Sequence, residues 1–259
     1  MLPILFKIGP LTVYSFGVLM ALGFYAGALA AVTEFRRRGG DADPMWNLLV
    51  WIFIAGLVGS RLLSLLNDPM AVFRDPIGEV LAGSGFVWYG GLIAGLAAAV
   101  LLTRYYKIRL STLVECCAPG LAIGQAIGRL GCHVSGDGDW GTVTDAAWGV
   151  AYTNAIVGWD YPPGVRVHPT PLYEAAAYAA VFGVLWTVRK RNPPDGTLFS
   201  IYLVGTSLAR FAVEFIRINP KIAFGLTQAQ LIAIVLFIAG AGWLLSHRTA
   251  FATAREASS

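Results

Sequence analysis

The sequence predicts an all-α, polytopic membrane protein of seven transmembrane helices with an outer-face cap segment. Three observations carry that prediction. Apolar residues make up 56% of the 259 positions and charged residues 13%, with a mean hydropathy of +0.64; the charged share is about half that of a soluble domain. The apolar residues gather in runs of about 18 or more, long enough for bilayer helices and too apolar all round for amphipathic ones. Basic residues recur in short clusters between these runs and form no single face or tail, which argues against a nucleic-acid partner and makes them reporters of topology.

The runs read as Val13–Val32, Trp46–Leu66, Gly85–Leu102, Ser111–Gly128, Pro171–Val188, Thr197–Phe215 and Leu226–Ser246. Seven helices of about 20 residues take roughly 140 positions, so a single transmembrane domain over residues 1–259 leaves no room for a second, soluble one. The first run lacks a charged leader and a small-residue cleavage site, and Glu34-Phe-Arg-Arg-Arg38 follows it, as in a retained signal anchor. Asn67–Ser84, with Pro69 and Pro76, reads as a surface segment. The longest polar stretch, about 129–168, is rich in aromatics and reads as the cap, with Trp140 and Trp148 at headgroup depth and the functional arginines beneath it. Cys116, Cys117 and Cys132 fit neither a disulfide framework nor a metal-ligand spacing.

Alternate loops carry unequal basic charge. One side has Arg36, Arg37, Arg38, Arg104, Lys107, Arg109, Arg189, Lys190, Arg191, Arg248 and Arg255; the other has Lys7, Arg74, Arg129, Arg166, Arg217 and Lys221. The positive-inside rule then places the N-terminus outside and the C-terminus in the cytoplasm.

A charge at membrane depth is costly unless it is paired or faces water, so Arg61, Glu115, Glu174, Arg210 and Glu214 are functional candidates by default. Arg210 and Glu214 stand four apart, and Arg217 is expected to continue their helix face at i+7 as a plus, minus, plus ridge. Structural ion pairing explains two of these charges; a further cation invites an anion such as a lipid phosphate. Gly120, Gly124 and Gly128 recur every four residues and predict close helix contact. Gly128-Arg-Leu-Gly-Cys-His-Val-Ser-Gly-Asp-Gly-Asp-Trp-Gly141 reads as a helix exit where backbone N–H groups and a guanidinium can approach a phosphate. Asp137 and Asp139 partly match a calcium loop whose other ligands are missing, so no metal is expected, and no cofactor.

Five ordered motifs resemble the bacterial prolipoprotein diacylglyceryl transferases across nearly the whole chain. They are Gly59-Ser-Arg61, Tyr89-Gly-Gly-Leu-Ile93, Gly128-Arg-Leu-Gly131 running into Gly-Asp-Gly-Asp-Trp-Gly141, His168-Pro-Thr-Pro-Leu-Tyr-Glu174, and Arg210-Phe-Ala-Val-Glu-Phe-Ile-Arg217. The resemblance implies transfer of a diacylglyceryl group from phosphatidylglycerol to the lipobox cysteine thiol in a preprolipoprotein signal peptide. The reaction would run at the outer face of the bacterial cytoplasmic membrane and release glycerol phosphate. It further implies Arg129, Arg210, Tyr89, His133, Asp137 and Glu214 as catalytic candidates. Arg61, Gly90, Gly91, Gly131, Cys132, Asp139, Gly141 and Arg217 are implied as substrate or phosphate contacts, and membrane lipid as the surrounding partner.

The chain departs from the family pattern at three places: Tyr89 stands where the family has histidine, Phe16 where it has tyrosine, and Cys132 where it has asparagine. The signature loop is one residue longer, with Asp137 and Asp139 sharing the place of one glutamate. A tyrosine at its ordinary pKa of about 10 is a poor base at neutral pH, which leaves His133 as a competing base. His168 is expected to fix the start of the fifth span. A lipid-binding protein that keeps the phosphate arginines without the base is the alternative reading; a transporter is disfavoured by the absence of internal repeats.

Overall fold

The computed structural model describes residues 1–9, 11–75 and 87–247. Among these, the chain forms β1 (Ile4–Ile8), β2 (Leu11–Tyr14), α1 (Ser15–Arg37), α2 (Ala42–Asn67), α3 (Pro69–Arg74), α4 (Trp88–Tyr105) and α5 (Leu110–Ser135). There follow α6 (Thr170–Val188), α7 (Thr197–Val213), β3 (Lys221–Ala223), β4 (Leu226–Thr227) and α8 (Gln228–Ser246). Six helical segments among the described residues are long and apolar enough to cross a membrane: α1, α2, α5, α6 and α7 with their following 3-10 turns, and α8. The third predicted span is met by α4, an 18-residue helix that is not among those six. The fold is mainly helical, with two short antiparallel hairpins, β1–β2 and β3–β4, that the apolar pattern did not announce. Gly85 and Phe86 at the predicted start of the third span, Pro76–Ser84 of the predicted surface segment, Arg248 and Arg255 lie outside the described residues.

Contacts divide the chain into two compact units, residues 32–113 and residues 1–31 with 114–259. In the first, α2 and α4 pack along a seam of small residues. A Cβ on Gly90 would press on the Gly59 carbonyl and lie 2.6 Å from Leu63 Cβ, and one on Gly91 would lie 3.0 Å from the Gly56 carbonyl. Small residues let backbones meet where lipid gives no hydrophobic drive for helices to associate. Ser60 Oγ donates to the Val87 carbonyl at 2.8 Å and ties α2 to the start of α4. At the end of α1, the buried Glu34 carboxylate accepts from Arg37 (2.7 Å) and Arg38 (2.8 Å), cations placed well for the helix C-terminus.

In the second unit the glycine periodicity does what its spacing predicts at two of three positions. A Cβ on Gly27 would lie 2.7 Å from the Gly120 carbonyl and one on Gly23 2.9 Å from that of Gly124, whereas Gly128 faces open space. The helices α6, α7 and α8 pack in succession. Glu115, a functional candidate by its depth, is instead a helix cap. Fully buried, it accepts the N–H groups of Gly196 (2.9 Å), Leu198 (2.8 Å) and Phe199 (3.2 Å), which the start of α7 would otherwise leave without partners. Gly196 is required there: its φ is +93°, and a Cβ would stand 2.5 Å from the Trp243 ring.

Two sequence readings are corrected. The helix predicted to end at Gly128 runs on to Ser135, so Arg129, Gly131, Cys132 and His133 sit on its last two turns and not on a loop. Gly131 looked like a helix exit, but a Cβ there would lie 3.3 Å from Leu19 Cβ and 3.4 Å from the Phe16 ring; α1 packs against it, and tertiary contact overrides propensity. The ridge through Arg217 is also broken. The helix α7 stops at Val213, Glu214–Ile216 is a 3-10 turn, and Arg217 is extended (φ −82°, ψ 157°).

The segment between α5 and α6 folds around its own small core of Trp140, Tyr152 and Val167, with Trp159 and Tyr161 packed against it. Backbone pairs Val150–Val167 (3.0 Å both ways), Thr144–Arg166 (2.9 Å) and Thr142–His168 (3.0 Å) tie it together, and Ile156 N–H donates to the Ser135 carbonyl at 3.0 Å. Trp140 is 7% exposed, packed against Tyr152 and edge-on to Trp159; Trp148 is the outward one, at 64%.

Candidate active site

Glu174 lies one turn into α6 and is completely buried, and three arginines from three parts of the chain converge on it. Arg129 on α5 reaches Oε2 through Nε at 3.1 Å, Arg210 on α7 reaches Oε1 through Nη1 at 2.8 Å, and Arg217 reaches Oε2 through Nη1 at 3.2 Å. The Tyr178 hydroxyl, one turn along α6, donates to Oε1 at 3.4 Å. Two further carboxylates complete the cluster. Asp139, on the loop after α5, is ion-paired with both Arg129 and Arg217. Glu214 Oε2 is ion-paired with Arg210 Nη2 at 3.0 Å, and Oε1 accepts from Asn219 Nδ2 at 2.6 Å.

The backbone holds the cluster in place. Thr170 Oγ1 donates to the Asp139 carbonyl, and the Asp139 N–H donates to Asp137 Oδ1 at 3.2 Å. Gly141 lets the loop reach Arg217: its N–H donates to the His168 carbonyl at 2.9 Å, Thr142 N–H donates to that of Ile216 at 2.8 Å, and a Cβ on Gly141 would stand 2.9 Å from Thr170 Cγ2. A glycine at 141 therefore acts through packing.

Three guanidiniums and three carboxylates balance in number, but not in exposure. Arg217, Glu174 and Glu214 have side chains at most 4% exposed, whereas Arg129 (23%), Arg210 (22%) and Asp139 (32%) form the accessible side. That side holds Arg129, Arg210 and Asp139, with the Asp137 carboxylate within 4.8 Å of that of Asp139. Burial opposes ionisation of Asp139, but Arg217 and then Arg129 outweigh it and hold the carboxyl below its usual range. Arginine suits this setting because its planar fork binds phosphate oxygens in pairs and stays charged when desolvated.

The profile of the family described as prolipoprotein diacylglyceryl transferase matches residues 3–246. The chain belongs to this family. A Dehalococcoides mccartyi protein named phosphatidylglycerol--prolipoprotein diacylglyceryl transferase is 33% identical over 237 residues, covering 90% of this chain and 89% of that protein. Proteins of the same name from Clostridium tetani (30% identical, 93% of this chain and 95% of that protein) and Halalkalibacterium halodurans (32%, 96% and 87%) are similar throughout.

The arginine cluster of this family member brings together Arg129, Asp139, Arg210, Glu214 and Arg217 of the sequence-predicted residues. Cys132 stands beside it, buried, with Arg129 Nη1 donating to its sulfur at 3.9 Å. The donor atoms of Cys132, Asp137 and Asp139 lie within 4.8 Å of one another. Both Asp139 oxygens are held by guanidiniums, whose charge works against a cation there. His133 pairs its Nδ1 with the Tyr152 hydroxyl at 2.9 Å; burial first, and then Asp137, raise the pKa of that phenol, so it stays protonated and able to donate. His168 bonds through Nδ1 to the Tyr173 hydroxyl at 3.1 Å beside the start of α6, where it was expected to act.

Arg61, Tyr89, Gly90 and Gly91 belong to the other compact unit. There Tyr89 is 51% exposed with Trp88 edge-on at 5.3 Å, and the two glycines lie in the α2–α4 seam. Glu174 was legible as a buried charge, but its place at the centre was not; Thr170 stood in the His168–Glu174 motif with no role read for it, and Asn219 gave no signal. The one sequence clue was that three cations in two motifs lacked enough acids within their own helix.

Proposed function

We propose that the protein transfers the diacylglyceryl group of phosphatidylglycerol to the lipobox cysteine thiol of a preprolipoprotein signal peptide, forming a thioether and releasing glycerol phosphate. The observation that carries this is the arginine cluster: Arg129 and Arg210, held from behind by Glu174 and about a fifth exposed, offer two forks to one phosphate. The sulfur attacks the glyceryl carbon while the phosphate ester oxygen leaves with the bonding electrons, and preorganised guanidiniums stabilise the charge that develops on it. Glu214 and Arg217 orient Arg210 and Glu174. Tyr89 as a phenolate, His133 as a neutral imidazole, or the Asp137 carboxylate takes the thiol proton, and Arg61, Cys132, Gly131, Gly90, Gly91 and Gly141 shape the lipid and peptide surroundings. The chain works as one domain over residues 1–259, with α4 as a seventh span and the 129–168 cap over the outer mouth. Its N-terminus lies outside the bacterial cytoplasmic membrane and its C-terminus inside.

Purified protein incubated with phosphatidylglycerol and a lipobox peptide tests the reaction. Mass spectrometry should find thioether-linked peptide with wild type and none with Arg210→Ala; lipid binding without product from wild type would refute transfer. Topology is tested by impermeant thiol labelling of single cysteines at Thr144 and Asn154 in a background without the native cysteines. Labelling only after the membrane is breached would reverse the orientation.

A further inference from the structure

Arg129, one of the two arginines proposed to hold phosphate, already holds an anion on the accessible side of the site, Asp139. Asp139 is ion-paired with Arg129 on the accessible side and with the buried Arg217 behind it, and the Asp137 carboxylate lies within 4.8 Å of its own. A phosphodiester that approaches Arg129 meets donors already taken by Asp139 and Glu174, so one carboxylate has to give way. Glu174 and Glu214 are on or beside helices, with side chains fully buried and bonded to other groups. The Asp139 side chain is 32% exposed, and its backbone is pinned independently by Thr170 and by its own N–H bond to Asp137. The two backbone bonds do not involve its carboxylate, so a rotation about the side-chain bonds would release the carboxylate and leave them intact.

Resting on the phosphate-binding reading above, we infer that Asp139 is an internal stand-in for the substrate's phosphate, yielding the guanidiniums to the phosphodiester and reclaiming them from the product. The exchange is charge for charge. A phosphodiester carries one negative charge, as Asp139 does, so the charge facing the guanidiniums is unchanged while lipid is bound. In the transfer step the thiol proton passes to a base, the C–S bond forms, and the glyceryl C–O bond breaks with its electron pair on the phosphate. The leaving glycerol phosphate is a monoester, whose charge near neutral pH is about −1.5 to −2. It now overcharges the cluster, and the returning Asp139 carboxylate competes for the same donors and speeds its departure. Asp139 is in this account a positioning residue that sets the net charge of the accepted headgroup and the rate of release.

Asp139→Asn keeps the shape and removes the charge. In nanodiscs it should bind glycerol phosphate and inorganic phosphate at least tenfold more tightly than wild type, and turnover should show a first burst followed by a stall that added glycerol phosphate deepens. A merely structural role predicts no burst and weaker binding of both anions. Equal or weaker phosphate binding by a folded Asp139→Asn overturns the inference while leaving phosphatidylglycerol binding by wild type, and with it the function, standing. Wild type that binds neither phosphatidylglycerol nor phosphate overturns both. Should the variant not fold, Trp140 beside Asp139 reports on wild type directly. Its fluorescence, isolated by subtraction of Trp140→Phe, should shift on phosphatidylglycerol and not on phosphatidylcholine. No shift refutes the displacement.

Discussion

Replacing Glu174 by glutamine removes one charge, keeps the volume, and takes away the group on which three arginines rest. Glu174 has no exposed surface, and its oxygens lie 3.1, 2.8 and 3.2 Å from Arg129, Arg210 and Arg217. Removing one member of a buried ion pair costs about 3–5 kcal/mol, because the remaining charge is left uncompensated. Two of the three arginines are about a fifth exposed and keep Asp139 or Glu214 as partners, which puts the cost at the lower end, about 3 kcal/mol. For a chain of this size that is a fall in Tm of roughly 6–12 °C. Losing the orientation of the phosphate donors should lower turnover by roughly 10²-fold or more. The assay pairs thermal melts in detergent with single-turnover thioether formation. Because Glu174→Gln leaves the cluster one charge too positive, Glu174→Gln with Arg217→Gln should recover part of the Tm loss, with a coupling of about 0.5–3 kcal/mol. A single variant with wild-type Tm and turnover would refute the reasoning that Glu174 is the centre of the site.

Arg210→Lys should keep the fold but cut turnover roughly 10²-fold, since an ammonium holds Glu174 or Glu214 as a point charge and cannot bridge both, and unchanged single-turnover rates would count against a bidentate role. If Tyr89 carries the thiol proton, Tyr89→Phe should slow transfer and Tyr89→His should preserve or raise it, whereas if His133 does, His133→Ala is the damaging change; pH profiles of all three decide, and no loss in any moves the role to Asp137. Asp139, held below its ordinary carboxyl range, should contribute stability that is complete above its unfolded pKa of about 3.9 and is lost as pH falls through the lower folded value. The Tm difference between wild type and Asp139→Asn should therefore close on acidification below about pH 4, and a difference that stays flat would contradict the ion pairing.

Which parts of this molecule could be read from sequence follows from how local their causes are. The runs that became α1, α2 and α6 were legible because composition over 18 or more residues decides a bilayer helix within the segment itself. The end of α5 was not, because Gly131 is held helical by Phe16 and Leu19, more than a hundred residues earlier in the chain. Glu115 was visible as a charge in an apolar run, but its role depends on Gly196, Leu198 and Phe199, some eighty residues on. Depth alone could not tell a cap from a catalyst. The small core of the cap shows the same limit: Trp140 reads as an interfacial aromatic until Tyr152 and Trp159 fold over it.

The same reasoning explains why the site was found residue by residue but not as an arrangement. Sequence spacing paired Arg210 with Glu214 correctly, since both lie within one helical turn. It carried the face on to Arg217, where the helix has already ended, and so missed that Arg217 turns back to Glu174 and Asp139. Each arginine then has an acid from a different element, and those acids differ in kind. Glu174 and Glu214 are buried, while the Asp139 side chain is partly exposed. A cation cluster built only from buried acids would be neutral and closed to any anion. One built with no acid at the surface would be open, and would keep whatever phosphate it caught. On the exchange inferred for Asp139, a carboxylate on a pinned loop with a rotatable, partly exposed side chain is what would let one site take a phosphodiester and also release a phosphomonoester, as repeated transfer from a lipid requires.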